Sequence, residues 1–316
     1  MKRLNIESEM FRGAGESKFL PNLLIAILLF SGLWIGSRML AIDVITYPLG
    51  LLAKEDIISV AIARTIRLIF VGGANILAFL MWVKHVEKRP IQTMGFKNST
   101  FLRKYLLGFV IGIALIAANT LIFIALGAIN FVDFDLLKQG IGIRLIISVF
   151  IMLLGYIVQS ASEEIAVRGW LLPVIGAKYN VIIGVVLTST MFGVLHLFNP
   201  NVTALSIINL VLSGIFLALM VLLQGNVWGA CGYHCGWNWA LANVFGYQIS
   251  GYKPIGGSLL SVRIEGSELI SGGYFGPEAG IIATIFLLTG IIVLALLLYR
   301  KKTVRSINIE SENALD

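Results

Sequence analysis

Long apolar runs constrain this chain more than any other feature. A helix that crosses the hydrocarbon core of a bilayer needs about 20 mostly apolar residues. Eight stretches meet that length, near 20–42, 60–83, 104–128, 141–162, 179–198, 203–224, 226–248 and 279–299. In lipid, backbone polar groups must be satisfied within the segment, so helices are expected rather than open strands. The expected fold is an all-α membrane protein, a polytopic bundle of about eight transmembrane helices, with residues 1–316 forming a single transmembrane domain. Charged residues make up 13% of the chain, about half the share in a soluble domain. That excludes a disordered chain, a basic nucleic-acid-binding domain and a typical soluble enzyme. The first run is long enough to span and no small-residue cleavage site follows it, so no cleavable signal is expected.

The formal net charge of +7 reads as an orientation signal, not as a nucleic-acid footprint. Lys2, Arg3, Arg12 and Lys18 lie before the first run. Lys84, Lys88, Arg89, Lys97, Arg103 and Lys104 lie between the second and third, and Arg300, Lys301, Lys302 and Arg305 follow the last. The alternate loops carry more acid: Asp43, Glu55 and Asp56 against Lys54; Asp133 and Asp135 against Lys138; Glu265, Glu268 and Glu278 against Lys253 and Arg263. Positive loops stay in the cytoplasm, so both termini are expected there, in what is read as a bacterial cell membrane. Arg64 and Arg67, three apart at the start of the second span, are expected to snorkel to an interface. The ends, 1–17 and 304–316, are expected to fray. The Gly- and Ser-rich stretch 256–276 reads as an ordered or semi-ordered external loop.

Polar residues inside apolar spans are costly and usually have a role or a partner. Three clusters qualify. In Ser162-Glu163-Glu164-Ile165-Ala166-Val167-Arg168, Glu164 and Arg168 are four apart and can pair if the helix continues. Glu163 then points about 100° away, unpaired. In Phe192-Gly193-Val194-Leu195-His196, the phenyl ring can fix the imidazole. Gly193 permits close approach of a neighbouring helix. In His234-Cys235-Gly236-Trp237-Asn238, His234 and Asn238 share a face and can aim two donors at one point, as in an oxyanion hole. Each cluster alone has a plain structural alternative: a helix-end ion pair, a core histidine, an interhelical hydrogen bond. Cys231 and Cys235 with His234 supply only three ligands on one turn, so they read as small packing residues. His85 reads as a surface residue.

Taken together in this order on separate spans, the clusters resemble the CPBP family of intramembrane proteases, which includes type II CAAX prenyl endopeptidases and bacteriocin-processing relatives. The matching strings are Glu163 to Arg168 for EExxxR, Phe192 to His196 for FxxxH, and His234 to Asn238 for HxxxN. Gly272-Gly273-Tyr274-Phe275-Gly276-Pro277-Glu278 is similar to the turn before the last helix in bacterial members. The resemblance is strongest over about 140–250, the expected catalytic core.

The resemblance implies an intramembrane endopeptidase acting on a membrane-embedded or lipid-modified peptide in the bilayer. It implies Glu163 as the catalytic carboxylate, His196 polarising a water with it, and His234 and Asn238 stabilising the oxyanion. Glu164, Arg168 and Phe192 support them. The family has been described both as glutamic and as metalloproteases. Glu163, His196 and His234 are the zinc ligand set if a metal is used. The metal-free reading is preferred because Asn238 is a donor and no second-shell carboxylate is evident beside the histidines. Prenylated tails, bacteriocin leaders and anti-sigma factors remain open as substrates. A non-catalytic immunity or scaffold protein of the same fold, or a Glu/His proton-coupled transporter, is the competing class.

Counting residues raises one difficulty. If the fourth span ends near 162, Glu163 and His196 lie roughly 25 Å apart at 1.5 Å per residue. They meet only if the fourth helix runs on through about Ala177 or the fifth begins deeper.

Overall fold

The computed structural model describes residues 8–42, 56–97, 99–133 and 142–313. Several loop charges used above, including Lys2, Arg3, Asp43, Lys54, Glu55, Asp135 and Lys138, lie outside the described residues.

The elements run α1 (Glu9–Gly15), α2 (Leu23–Ala41), α3 (Ile57–Met81), α4 (Phe101–Ala125), β1 (Ile129–Asp133), α5 (Gly142–Glu164), α6 (Leu172–Lys178), α7 (Val181–Val194), α8 (Ala204–Gln224), α9 (Trp228–Trp239), β2 (Ser261–Ile264), α10 (Glu268–Ser271) and α11 (Ile281–Asn313). Among the described residues, six helical segments are long and apolar enough to cross a membrane: Leu23–Ala41, Ile57–Glu87, Phe101–Ala125, Gly142–Lys178, Ala204–Gln224 and Ile281–Lys301. The chain is an all-α polytopic membrane protein.

The other two expected spans are shorter. The 179–198 run folds as α7, only 14 residues, capped by the Asn180 side chain accepting from the Ile183 amide. The 226–248 run folds as α9, 12 residues, with a π-helical turn over Ala240–Val244. Every residue of α9 from Gly229 to Trp239 is buried. Hydropathy alone does not separate such a helix, enclosed by protein, from one facing lipid.

α9 is held by glycine. A Cβ added at Gly232 would collide with the Tyr105 carbonyl of α4, and one at Gly236 with that of Phe109. Gly108 and Gly112 of α4 in turn face the backbone of Gly229 and Tyr233. Two small-xxx-small pairs therefore meet, which lets the backbones approach as packing inside lipid favours.

One further expectation changes. Residues 9–15 form a helix, with Met10 and Phe11 buried, because this short amphipathic turn packs its apolar side beside Gly176 of α6. The 256–276 stretch is ordered, as its reading anticipated, and contributes a strand. Ser261–Ile264 pairs antiparallel with Ile129–Asp133, matching Ile129 to Ile264, and forms a small ribbon among the helices. Arg89 is not an exposed loop charge either. It is buried against Glu87, Nε to Oε2 2.5 Å, and Glu87 also accepts from the Trp170 indole at 2.6 Å.

Candidate active site

Glu163 lies within a continuous helical segment, Gly142–Lys178, in which a π-helical stretch, Ile165–Leu171, joins α5 to α6. Such π-bulges are frequent at functional sites. The chain then reverses at Tyr179 and Asn180 into α7. Glu163 is 178 − 163 = 15 residues before this turn, and His196 is 196 − 181 = 15 residues after it. Both are therefore about 22 Å from the reversal at 1.5 Å per residue, and they arrive at the same depth. The 25 Å separation disappears because the fourth helix runs on. His196 itself sits just beyond the end of α7, in a turn where its amide donates to the Gly193 carbonyl at 3.1 Å.

One cavity of about 720 Å³ is lined by Glu163, His196, His234 and Asn238, together with residues of α2, α3 and the 249–256 loop. Glu164 points away from it and is fully enclosed. Its Oε1 accepts from Arg168 Nη1 at 3.0 Å and lies 2.9 Å from His234 Nδ1. The guanidinium also donates to the Gly214 carbonyl at 3.3 Å and stacks 4.5 Å from the Phe192 ring. Phe192 packs against His196 at 4.9 Å and meets His234 edge-on at 6.2 Å. The phenyl ring thus spaces the arginine and both imidazoles.

The pair Glu164–Arg168 leaves Glu163 without an arginine at ion-pair distance among the described residues. Its Oε1 accepts from Gln159 Nε2 at 2.8 Å, and its Oε2 lies 3.9 Å from His234 Nε2. Asn238 Nδ2 donates to Gln159 Oε1 at 3.2 Å. Gln159 was missed in the sequence. The signal available was its position one turn before Glu163 in an apolar helix. Glu278 also lines the cavity, held by the Trp237 indole at 3.1 Å and by the Ser250 amide at 2.6 Å.

Arg64 and Arg67 line this cavity too, with Arg38 of α2. Arg64 is half-buried and Arg67 is exposed, so the cavity wall they form is open on the Arg67 side. His85 is exposed.

The histidines share an arrangement. His196 Nδ1 is 2.8 Å from the Phe192 carbonyl, and His234 Nδ1 is fixed on Glu164. Since both partners are acceptors, Nδ1 carries the proton in each ring and Nε2 is left for other use. The expectation that no second-shell carboxylate stands beside a histidine is therefore overturned by Glu164. This carboxylate–imidazole pattern commonly orients metal ligands. His234 and Glu163 stand at a spacing two ligands of one ion can have. Among the described residues, however, no three His, Cys, Asp or Glu side chains are grouped closely enough to hold a metal.

Residues 145–240 match the family model described as Type II CAAX prenyl endopeptidase Rce1-like. Neither a curated protein nor a solved structure matches the chain. The matched segment contains all three polar motifs, and the six spanning helices account for its setting. The chain is an integral membrane protein whose residues 145–240 are similar to the type II CAAX prenyl endopeptidase family.

Proposed function

We propose that the protein is a glutamic-type intramembrane peptidase in which Glu163 activates water. The observation carrying this reading is the position of Glu163 on the cavity, 3.9 Å from His234 Nε2, while Glu164 neutralises Arg168 behind it. Two hydrogen bonds of about 2.8 Å from one water reach both atoms if they subtend roughly 90° at its oxygen, an accessible geometry. Glu163 takes a proton from that water as its oxygen bonds to the scissile carbonyl carbon. The carbonyl π electrons move onto oxygen. When the tetrahedral intermediate collapses, the C–N bond breaks and the proton on Glu163 passes to the leaving amine.

His196 helps to hold the water. Asn238 has two amide N–H groups, one engaged by Gln159, so the other serves the oxyanion. His234 can donate to the oxyanion only as imidazolium, with Nδ1–H on Glu164 and Nε2–H in the cavity. Glu163 and Glu164 flank it with the opposite charge.

A metal-dependent second reading is favoured by the two anchored Nδ1 atoms, which leave both Nε2 lone pairs free. Zinc would be held by Glu163, His196 and His234 and would act as Lewis acid. Among the described residues, these side chains do not close around an ion.

The substrate class and the orientation belong to the same reading. The basic flanks, including Lys97 and residues 300–305, lie on the cytoplasmic side with both termini. Cysteines introduced at 97 and 303 should resist labelling by an impermeant reagent applied from outside. For the chemistry, the test is peptide release from a library of membrane-embedded and prenylated peptides, wild type against Glu163→Ala. Metal analysis of the active protein is run alongside. Release that survives Glu163→Ala sinks the assignment. Stoichiometric zinc, with reversible silencing by chelator, transfers Glu163, His196 and His234 to ligand roles.

A further inference from the structure

Arginine cannot shed its charge in a protein, so a guanidinium within a spanning segment needs an anion or water. The buried arginines outside the cavity follow that rule. Arg168 has Glu164 at 3.0 Å and Arg89 has Glu87 at 2.5 Å. The arginines lining the cavity do not. Arg38, Arg64 and Arg67 all line it, and none has a carboxylate of a described residue within ion-pair distance. Arg38 lies 4.6 Å over the Trp34 ring. Arg64 and Arg67 share one face of α3, three residues apart, and Lys253 adds a fourth cation to the same lining.

Among the described residues, the two carboxylates lining the cavity take their hydrogen bonds from neutral donors, not from these arginines. Glu163 accepts from Gln159, and Glu278 accepts from Trp237 and Ser250. Among the described residues, three arginines and Lys253 therefore share one volume with two acids. Two like charges held side by side on α3 repel, and the arrangement gains most from an incoming anion with two acceptor oxygens, which a guanidinium fork can bind bidentately.

We propose that Arg38, Arg64 and Arg67 form an anion subsite on the α2–α3 wall of the catalytic cavity, taking a carboxylate carried by the substrate peptide. This rests on the peptidase reading above. A peptide is favoured over a lipid headgroup because the arginines line the same volume as Glu163 and His234. A headgroup seated there would occupy space the substrate must enter. The subsite places one end of the substrate while Glu163 and His234 address the bond, so it governs selection among peptides rather than the chemical step.

The probes are a fluorescein-labelled apolar dodecapeptide ending in a free carboxylate, its C-terminal amide, and a pair of amidated peptides carrying one internal Asp or Asn. Binding is measured on the full-length Glu163→Gln protein in detergent, so the readout does not require turnover. A carboxylate form should bind about ten- to hundredfold tighter than its neutral partner, the scale of a charge-assisted hydrogen bond. The terminal and internal pairs tell which carboxylate is read. With Arg64→Gln and Arg67→Gln added, the ratio should collapse toward one, and Arg64→Lys should restore part of it. The unmutated α3 already tests the idea if those variants fail to fold. Equal binding of both members of each pair overturns the subsite. So does a preference that survives the double variant. If phosphatidylglycerol binds in an Arg64-dependent way while the peptide pairs do not differ, the arginines hold a headgroup and the proposal falls. The peptidase reading is judged separately, by whether the wild type cleaves and Glu163→Ala does not.

Discussion

The two walls of the cavity handle charge in opposite ways. On the α5–α9 wall, Arg168 and Glu164 are paired and fully enclosed, and His234 leans on the same carboxylate at 2.9 Å. On the α2–α3 wall, Arg64 and Arg67 face open volume without a carboxylate of a described residue. Access explains the difference. An enclosed charge that loses its partner costs several kcal/mol, so the partner is built in one helical turn away. A cation beside a wet cavity keeps part of its hydration and can accept a partner from outside. The paired charges therefore mark the framework. The unpaired ones, Glu163 on one wall and the arginines on the other, mark what is offered to a substrate.

The largest effect should come from the unpaired acid. Glu163→Gln should lower turnover by about 10²–10⁴-fold or more, the contribution of a positioned acid–base group. The melting temperature in detergent should hold, because the residue carries no framework ion pair. Loss of folding together with loss of turnover would break the division between the walls. Next is its neighbour. Glu164→Gln should destabilise the protein by about 3–5 kcal/mol, because Arg168 is left buried and uncompensated. Turnover should fall as well, since His234 loses the anchor on Nδ1. Denaturant titration and peptide cleavage on the same preparation separate the two losses. An undisturbed melting curve would mean that enclosure is not what distinguishes this wall.

The framework was the legible part. Glu164 and Arg168 announce their contact by spacing, and the unpaired state of Glu163 follows from helical geometry alone. The apolar runs identified the helices but overstated their spanning role at α7 and α9, because a glycine-clamped inner helix is as apolar as one in lipid. The cavity-lining position of the α3 arginines was not legible for a related reason. Snorkelling and cavity lining both place arginine near the end of an apolar helix, and only the neighbouring helix decides between them. Gln159 was invisible because an amide attracts notice only once its partners, Glu163 and Asn238, are in place. Glu278 lay in a quoted motif, yet its bond to Trp237 crosses 41 residues.

Asn238 sharpens the comparison from the other side, as a neutral donor on the framework wall. Asn238→Ala should reduce turnover by roughly 10²–10³-fold, the usual effect of removing one oxyanion donor. KM should change much less, because the bond strengthens only as charge develops. An effect confined to KM would make Asn238 a ground-state contact. A nearly unaffected rate would remove it from the oxyanion site.

The smallest effect should belong to an ion pair that resembles Glu164–Arg168 in chemistry but not in setting. Asp56 caps α3, accepting from the Ile58 and Ser59 amides at 3.1 and 3.4 Å, and Arg144 donates to it at 3.0 Å. Both side chains are well exposed, at 53% for Arg144 and 36% for Asp56. The Ser59 hydroxyl, ahead of the two amides and Arg144, holds the Asp56 carboxyl below the usual carboxylate range. A depressed folded-state value contributes stability above the unfolded pKa, near 4, and the contribution is lost as pH falls through the folded value. Asp56→Asn keeps an acceptor for the cap but removes the charge. Its melting temperature should trail the wild type slightly at neutral pH, and the two should converge below about pH 4. Arg144→Ala should shift melting still less, as solvent-exposed pairs do. Were it to match Glu164→Gln, burial would not separate the two ion pairs, and the contrast between the cavity walls would lose its physical basis.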